Sequence, residues 1–111
     1  MAVKVKNAAE SQMINQVIRE TYAFAELFRI NTGCVRTEAG YLFSTGTPKG
    51  FPDLAGYRRS DGRAVYIECK VAPNKPTEEQ LKFIKKAQDS GCIAAVCYSV
   101  DEAKSVILGT N

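Results

Sequence analysis

Apolar or small side chains at Met13, Ile14, Val17, Ile18, Tyr22 and Ala25 recur at three- and four-residue intervals. That period predicts an amphipathic helix over residues 10–27. The period then changes, and residues 28–36 and 40–45 read as strands turning at Glu38-Ala39-Gly40. A Gly/Pro/Lys loop covers 46–52, and two alternating runs, 53–60 and 63–70, flank Asp61-Gly62. Pro73 and Pro76 interrupt the chain before a helix over 77–90 that Gly91 stops. Residues 93–98 are apolar without alternation, as in a strand covered on both faces. A helix over 100–107 follows, with Asp101 near its start and Gly109 after it. The order is read as αβββαβα, helices flanking a mixed sheet, with one strand more before the second helix than that formula counts: an α/β fold.

Asp-Gly between alternating runs is a strong hairpin signal, because a type I′ turn needs positive φ at both central residues. With Asp61-Gly62 as a two-residue loop, Ser60 faces Arg63, Asp53 faces Lys70 and Glu68 faces Ala55. Alternation then puts Asp53, Ala55, Glu68 and Lys70 on one face, and Leu54, Val65, Ile67 and Cys69 on the buried one. Asp53 and Glu68 become diagonal neighbours, roughly 7–8 Å apart. A one-residue slip would send Asp53 to the opposite face.

Two carboxylates and an ammonium on one face suit a divalent metal and a phosphodiester. Hard oxygen ligands favour Mg²⁺ or Mn²⁺, and Mg²⁺ commonly takes one or two carboxylates plus water and phosphate. The bland reading is a surface hairpin crossed by an Asp53–Lys70 salt bridge, contributing about 0–1 kcal/mol.

Composition narrows the chemistry. With 111 residues, 45% hydrophobic and 24% charged, the chain suits one domain, 1–111, with its core near 10–100. The net charge of +3 is a mild lean toward nucleic acid, which a dimer would double. No run is long enough to span a bilayer and no signal-peptide core opens the chain, so the expected location is the cytoplasm. Cys34, Cys69, Cys92 and Cys97 form no CxxC pair, and with no histidine present zinc sites and histidine-based catalysis are excluded. The cysteines read as reduced, mostly buried thiols. Nothing calls for an organic cofactor.

Gly50-Phe51-Pro52-Asp53-Leu54 followed by Ile67-Glu68-Cys69-Lys70 resembles the PD-(D/E)xK phosphodiesterase signature, and more narrowly the VRR-NUC (virus-type replication-repair nuclease) family of stand-alone type. Glu10, Asn31-Thr32-Gly33 before Arg36, the approach Gly46-Thr47-Pro48-Lys49-Gly50, and Thr77-Glu78-Glu79-Gln80 match that pattern in order. The resemblance implies a restriction-endonuclease-like fold and a metal-dependent endodeoxyribonuclease. It implies Asp53, Glu68 and the Cys69 backbone carbonyl as ligands of Mg²⁺ or Mn²⁺, Lys70 as the group acting on the attacking water, and Glu10 supporting metal or water. It also implies a homodimer acting on branched DNA such as Holliday junctions. Cys69 stands where the family commonly has a small apolar residue.

The other candidates have plain alternatives. Glu10 suits the first turn of a helix through the dipole alone. Thr77 and Gln80 have capping-box spacing, so a site role for Gln80 rests on the resemblance. Lys49 is the best phosphate contact, since its loop runs into Asp53; Lys82 and Lys86 with Lys85 form a basic helical stripe, and Arg36 completes the candidate DNA contacts. The Gly46–Gly50 loop lacks the spacing and ending of a P-loop. The competing reading is a catalytically weak DNA-binding or structural module on the same fold; a nuclease acting on RNA would use the same site.

Overall fold

The computed structural model describes residues 7–30, 34–36, 38–39, 42–44 and 46–109. Helix α1 (Ala8–Thr21) starts where Asn7 Oδ1 accepts the Glu10 amide at 2.8 Å. Its stripe of Met13, Ile14 and Val17 is buried. The expected helix over 10–27 ends early: residues 22–24 turn, and β1 (Ala25–Arg29) begins. Two-residue alternation wins there, because Ala25 and Leu27 can face the core only from a strand paired antiparallel with β4 (Leu54–Arg58). Tyr22, expected on the helical stripe, is exposed and lies under the Arg59 guanidinium, 4.5 Å from ring centroid to Cζ.

The expected strands at 28–36 and 40–45 are replaced by β1 and a separate antiparallel ribbon of β2 (Cys34–Arg36) and β3 (Leu42–Ser44). Residues 31–33, 37, 40, 41 and 45, including Asn31-Thr32-Gly33, lie outside the described residues.

β4 pairs antiparallel with β5 (Ala64–Cys69), and β5 runs parallel to β6 (Ile93–Cys97), giving the sheet order β1-β4-β5-β6. Helix α2 (Glu78–Asp89) connects β5 to β6, and α3 (Val100–Leu108) ends the fold. Counting only strands of the four-stranded sheet, the chain runs αβββαβα, with β2-β3 an inserted ribbon. Leu54, Val65, Ile67 and Cys69 face α1 and α3, and are fully buried with Ile14, Val17 and Ile107. Each such aliphatic contributes about 1.5–3 kcal/mol by leaving water. The other face packs Tyr66, Ala94 and Val96 against Phe83, Ile84 and Ala87 of α2. β6 is therefore covered on both sides, as its unalternating sequence requires.

The hairpin differs from expectation in register. Leu54 faces Ile67 and Tyr57 faces Ala64, two positions from the two-residue-loop pairing. Arg58 N–H donates to Arg63 O at 2.8 Å and Gly62 N–H to Arg58 O at 2.7 Å, so the loop is the four residues 59–62. Gly62, at φ 74°, closes that longer loop. Arg58 binds both Asp61 oxygens, at 3.1 and 2.6 Å, and the Arg63 amide adds a third bond to the same carboxylate at 3.1 Å. Asp61 thus gathers the loop around its side chain rather than occupying a two-residue turn. A two-residue shift preserves the facing of every side chain, so the expected division of faces stands.

Candidate active site

The β4–β5 ladder ends at Leu54↔Ile67, and one step further brings Asp53 directly opposite Glu68 rather than diagonal to it. There the backbone pairing gives way to crossed side-chain bonds. The Asp53 amide donates to Glu68 Oε1 at 3.2 Å, and the Cys69 amide donates to Asp53 Oδ2 at 3.0 Å. Each acid is held by the peptide of the opposing strand. Glu68 is fully buried and Asp53 nearly so.

Lys70, two residues beyond Glu68 and on its face, brings Nζ to 3.4 Å from Glu68 Oε2. The expected cross-hairpin partner was Asp53; the changed register makes the observed pair Lys70–Glu68. Both side chains are almost wholly removed from solvent, so this is not a loose surface pair.

Thr77 and Gln80 form the capping box expected of α2: the Gln80 amide donates to Thr77 Oγ1 at 3.2 Å, and the Thr77 amide to Gln80 Oε1 at 2.8 Å. Since the cap uses the side-chain oxygen, the amide NH₂ is left to donate to Glu68 Oε2, which it does at 3.1 Å. Capping and site contact are two ends of one side chain. Gly50 packs the loop onto the same helix: at φ 86°, a Cβ there would lie 2.6 Å from the Glu79 backbone. This close approach seats the loop that leads into Asp53 on the start of α2.

Glu10 is buried and reaches the chain leaving β5. Its Oε2 accepts the Val71 amide and Asn74 Nδ2, each at 3.3 Å. Asn74, not foreseen from the sequence, is held in turn by Tyr98, whose hydroxyl donates to the Asn74 carbonyl at 3.1 Å. Glu10 thus braces the segment just after Lys70. Among the described residues no three acidic or thiol side chains form a cluster spaced to hold a metal ion. The donors that fit a hard cation are the opposed pair Asp53 and Glu68, whose buried oxygens match the one or two carboxylates Mg²⁺ requires.

Of the candidate DNA contacts, Lys49 is exposed, 3.8 Å from Glu79. Lys82 and Lys86 are exposed one turn apart on α2. Arg36 lies in β2, where its backbone pairs with Leu42; its side chain lies outside the described structure. Cys69, Cys92 and Cys97 are free thiols, and burial pushes the Cys97 thiol up to about 12. No described helix is long and apolar enough to cross a membrane.

An aromatic trio beside the acids was also not foreseen. Phe51, Tyr66 and Phe83 meet edge-to-face with ring centroids 5.0–5.9 Å apart. The available signal was Tyr66 itself, two residues before Glu68 and therefore on the acids' face.

The model of the VRR-NUC domain family matches residues 3–101. A solved structure described as "VRR_NUC domain" superposes with a TM-score of 0.66 at 17% identity, covering 92% of this chain and 97% of its own. At that identity the likeness is one of fold. No curated protein matches the chain.

Proposed function

This chain belongs to the VRR-NUC family of nuclease domains, and on that premise we propose that it hydrolyses DNA phosphodiester bonds as a metal-dependent endonuclease. In this reading Asp53, Glu68 and the Cys69 carbonyl hold Mg²⁺ or Mn²⁺. The bound cation supplies acidification of water and charge neutralisation at the phosphate. Lys70 sets a positive charge beside the reacting phosphate and orients the attacking water. Gln80 and Glu10 are positioning residues: one fixes Glu68, the other the backbone beyond Lys70. In the reaction the water oxygen forms a bond to phosphorus, one P–O ester bond breaks, and the leaving oxygen takes up a proton.

The observation that carries this reading is the crossed pair Asp53 and Glu68, locked by each other's strand amides with the Lys70 ammonium 3.4 Å from Glu68. A hairpin needs no such arrangement for stability, since like charges placed directly opposite are destabilising. By the family resemblance the substrate is branched DNA such as a Holliday junction and the acting unit a homodimer, whose two-fold symmetry suits paired cuts. Asp53→Ala, Glu68→Ala and Lys70→Ala are each expected to abolish cleavage of junction and plasmid substrates while DNA binding persists, and EDTA to do the same to the wild type. Undiminished cleavage by any folded variant, or in EDTA, would falsify the assignment. Light scattering tests the dimer; a panel of junction, flap, duplex and single-stranded DNA tests the substrate.

A further inference from the structure

Beside the acids, on the α2 side of the sheet, lies a groove of about 520 Å³. Its floor is Tyr66 and Phe83 with Pro48 at one end, and its rim carries Lys49, Lys82 and Lys86. Both ring systems are half-buried, so one part packs in the core and another meets solvent. Phe51 braces both edge-to-face, which holds the floor rigid. Tyr66, which lines the groove, and Glu68 share a face one strand repeat apart, about 6.6–6.8 Å along β5.

Aromatic floor and cationic rim together suit one ligand chemistry. Nucleobases stack on aromatic side chains whatever their identity, and phosphates are held by lysines. A duplex keeps its bases stacked inside and offers no ring to such a floor. Of the rim cations, Lys49 faces Glu79 at 3.8 Å, while Lys82 and Lys86 pair with no carboxylate among the described residues. Resting on the nuclease reading above, we infer that this groove is a single-stranded DNA subsite: it takes an unpaired base against Tyr66 and Phe83, with the two flanking phosphates on Lys82 and Lys86, one to each. The site thereby favours branched DNA that offers an unpaired nucleotide beside the bond to be cut, as a flap does and a four-way junction does where its branch point opens.

The test uses the full chain in EDTA, where cleavage does not interfere, and labelled oligodeoxynucleotides of one length in single-stranded and duplex form. Phe83→Leu keeps an apolar side chain in the core and removes one of the two stacking rings. It should weaken single-strand binding about tenfold or more by fluorescence anisotropy, within the range measured for base–aromatic stacking, and leave duplex binding within about twofold. Lys82→Gln/Lys86→Gln, on the helix surface, should lower the salt slope of single-strand binding by about 1.4 for two lost phosphate contacts. It keeps the test decisive should Phe83→Leu lower the melting temperature. Equal losses on both DNA forms, or single-strand binding unchanged in both variants, overturn the subsite. A wild type that discriminates through Phe83 yet cuts nothing with Mg²⁺ refutes the proposed activity and leaves the subsite standing; an active wild type without discrimination does the reverse.

Discussion

Gln80 does two jobs with two ends of one amide, and their separation is testable. Thr77→Ala removes one half of the cap and should cost about 1 kcal/mol of stability while leaving the contact to Glu68. Gln80→Ala removes the other half and also takes one of its donors from the buried Glu68, a hydrogen bond to a charged group that contributes about 1.5–3 kcal/mol more. Thermal melts should therefore rank Gln80→Ala below Thr77→Ala, and cleavage should fall far more in the Gln80 variant. Equal effects of the two on cleavage would reduce Gln80 to a helix cap. The cap was legible because its partners lie three residues apart; the bond to Glu68 was not, since it spans twelve residues and exists only when α2 docks on β5. Glu10 follows the same logic: its place in a first turn was readable, whereas its hold on Val71, 61 residues away, depends on the fold.

At the scale of elements, the hairpin carries its own pH dependence. The Arg58 guanidinium, then the Arg63 amide, hold the Asp61 carboxyl at about 2 against an ordinary 3.8. A lowered folded value means that the stabilisation is complete above the unfolded value and is lost as pH falls through the folded one. The wild type should thus lose melting temperature between about pH 4 and pH 2 more steeply than Asp61→Asn; identical slopes would show that the ion pair does nothing for the loop. This hairpin also shows what patterning can and cannot reveal. Which face each residue takes was readable, because that depends only on parity. Loop length was not, since a glycine at positive φ closes a four-residue loop as well as a two-residue one. The end of α1 was hidden for a related reason: Tyr22 and Ala25 continue a helical spacing by coincidence, and the five residues of β1 are too few to announce a new period.

For the molecule as a whole, the cation binding proposed for the opposed acids would be coupled to folding. A ligand bound only by the folded state stabilises it by about 2.7 kcal/mol at a hundredfold excess over its Kd. Titrating Mg²⁺ or Mn²⁺ should raise the wild-type melting temperature, and Asp53→Asn should abolish that rise. Without added metal the same variant should melt higher than wild type, because it relieves charge crowding against Glu68. A cation-dependent rise that survives in Asp53→Asn would move the binding site elsewhere. The three-layer order and the buried face of the motif hairpin were foreseeable from periodicity; the aromatic trio was not, because Phe51, Tyr66 and Phe83 come from a loop, a strand and a helix that meet only in the assembled sheet.

The crossed amide bonds at the strand ends carry one more consequence. Because the peptide groups of Asp53 and Cys69 are tied to the two acids, anything that draws on those oxygens also tugs the main chain. On the proposed reading the end of the hairpin would act as a strain gauge, and nuclear resonances of those two amides would read out loading of the site with no chromophore attached.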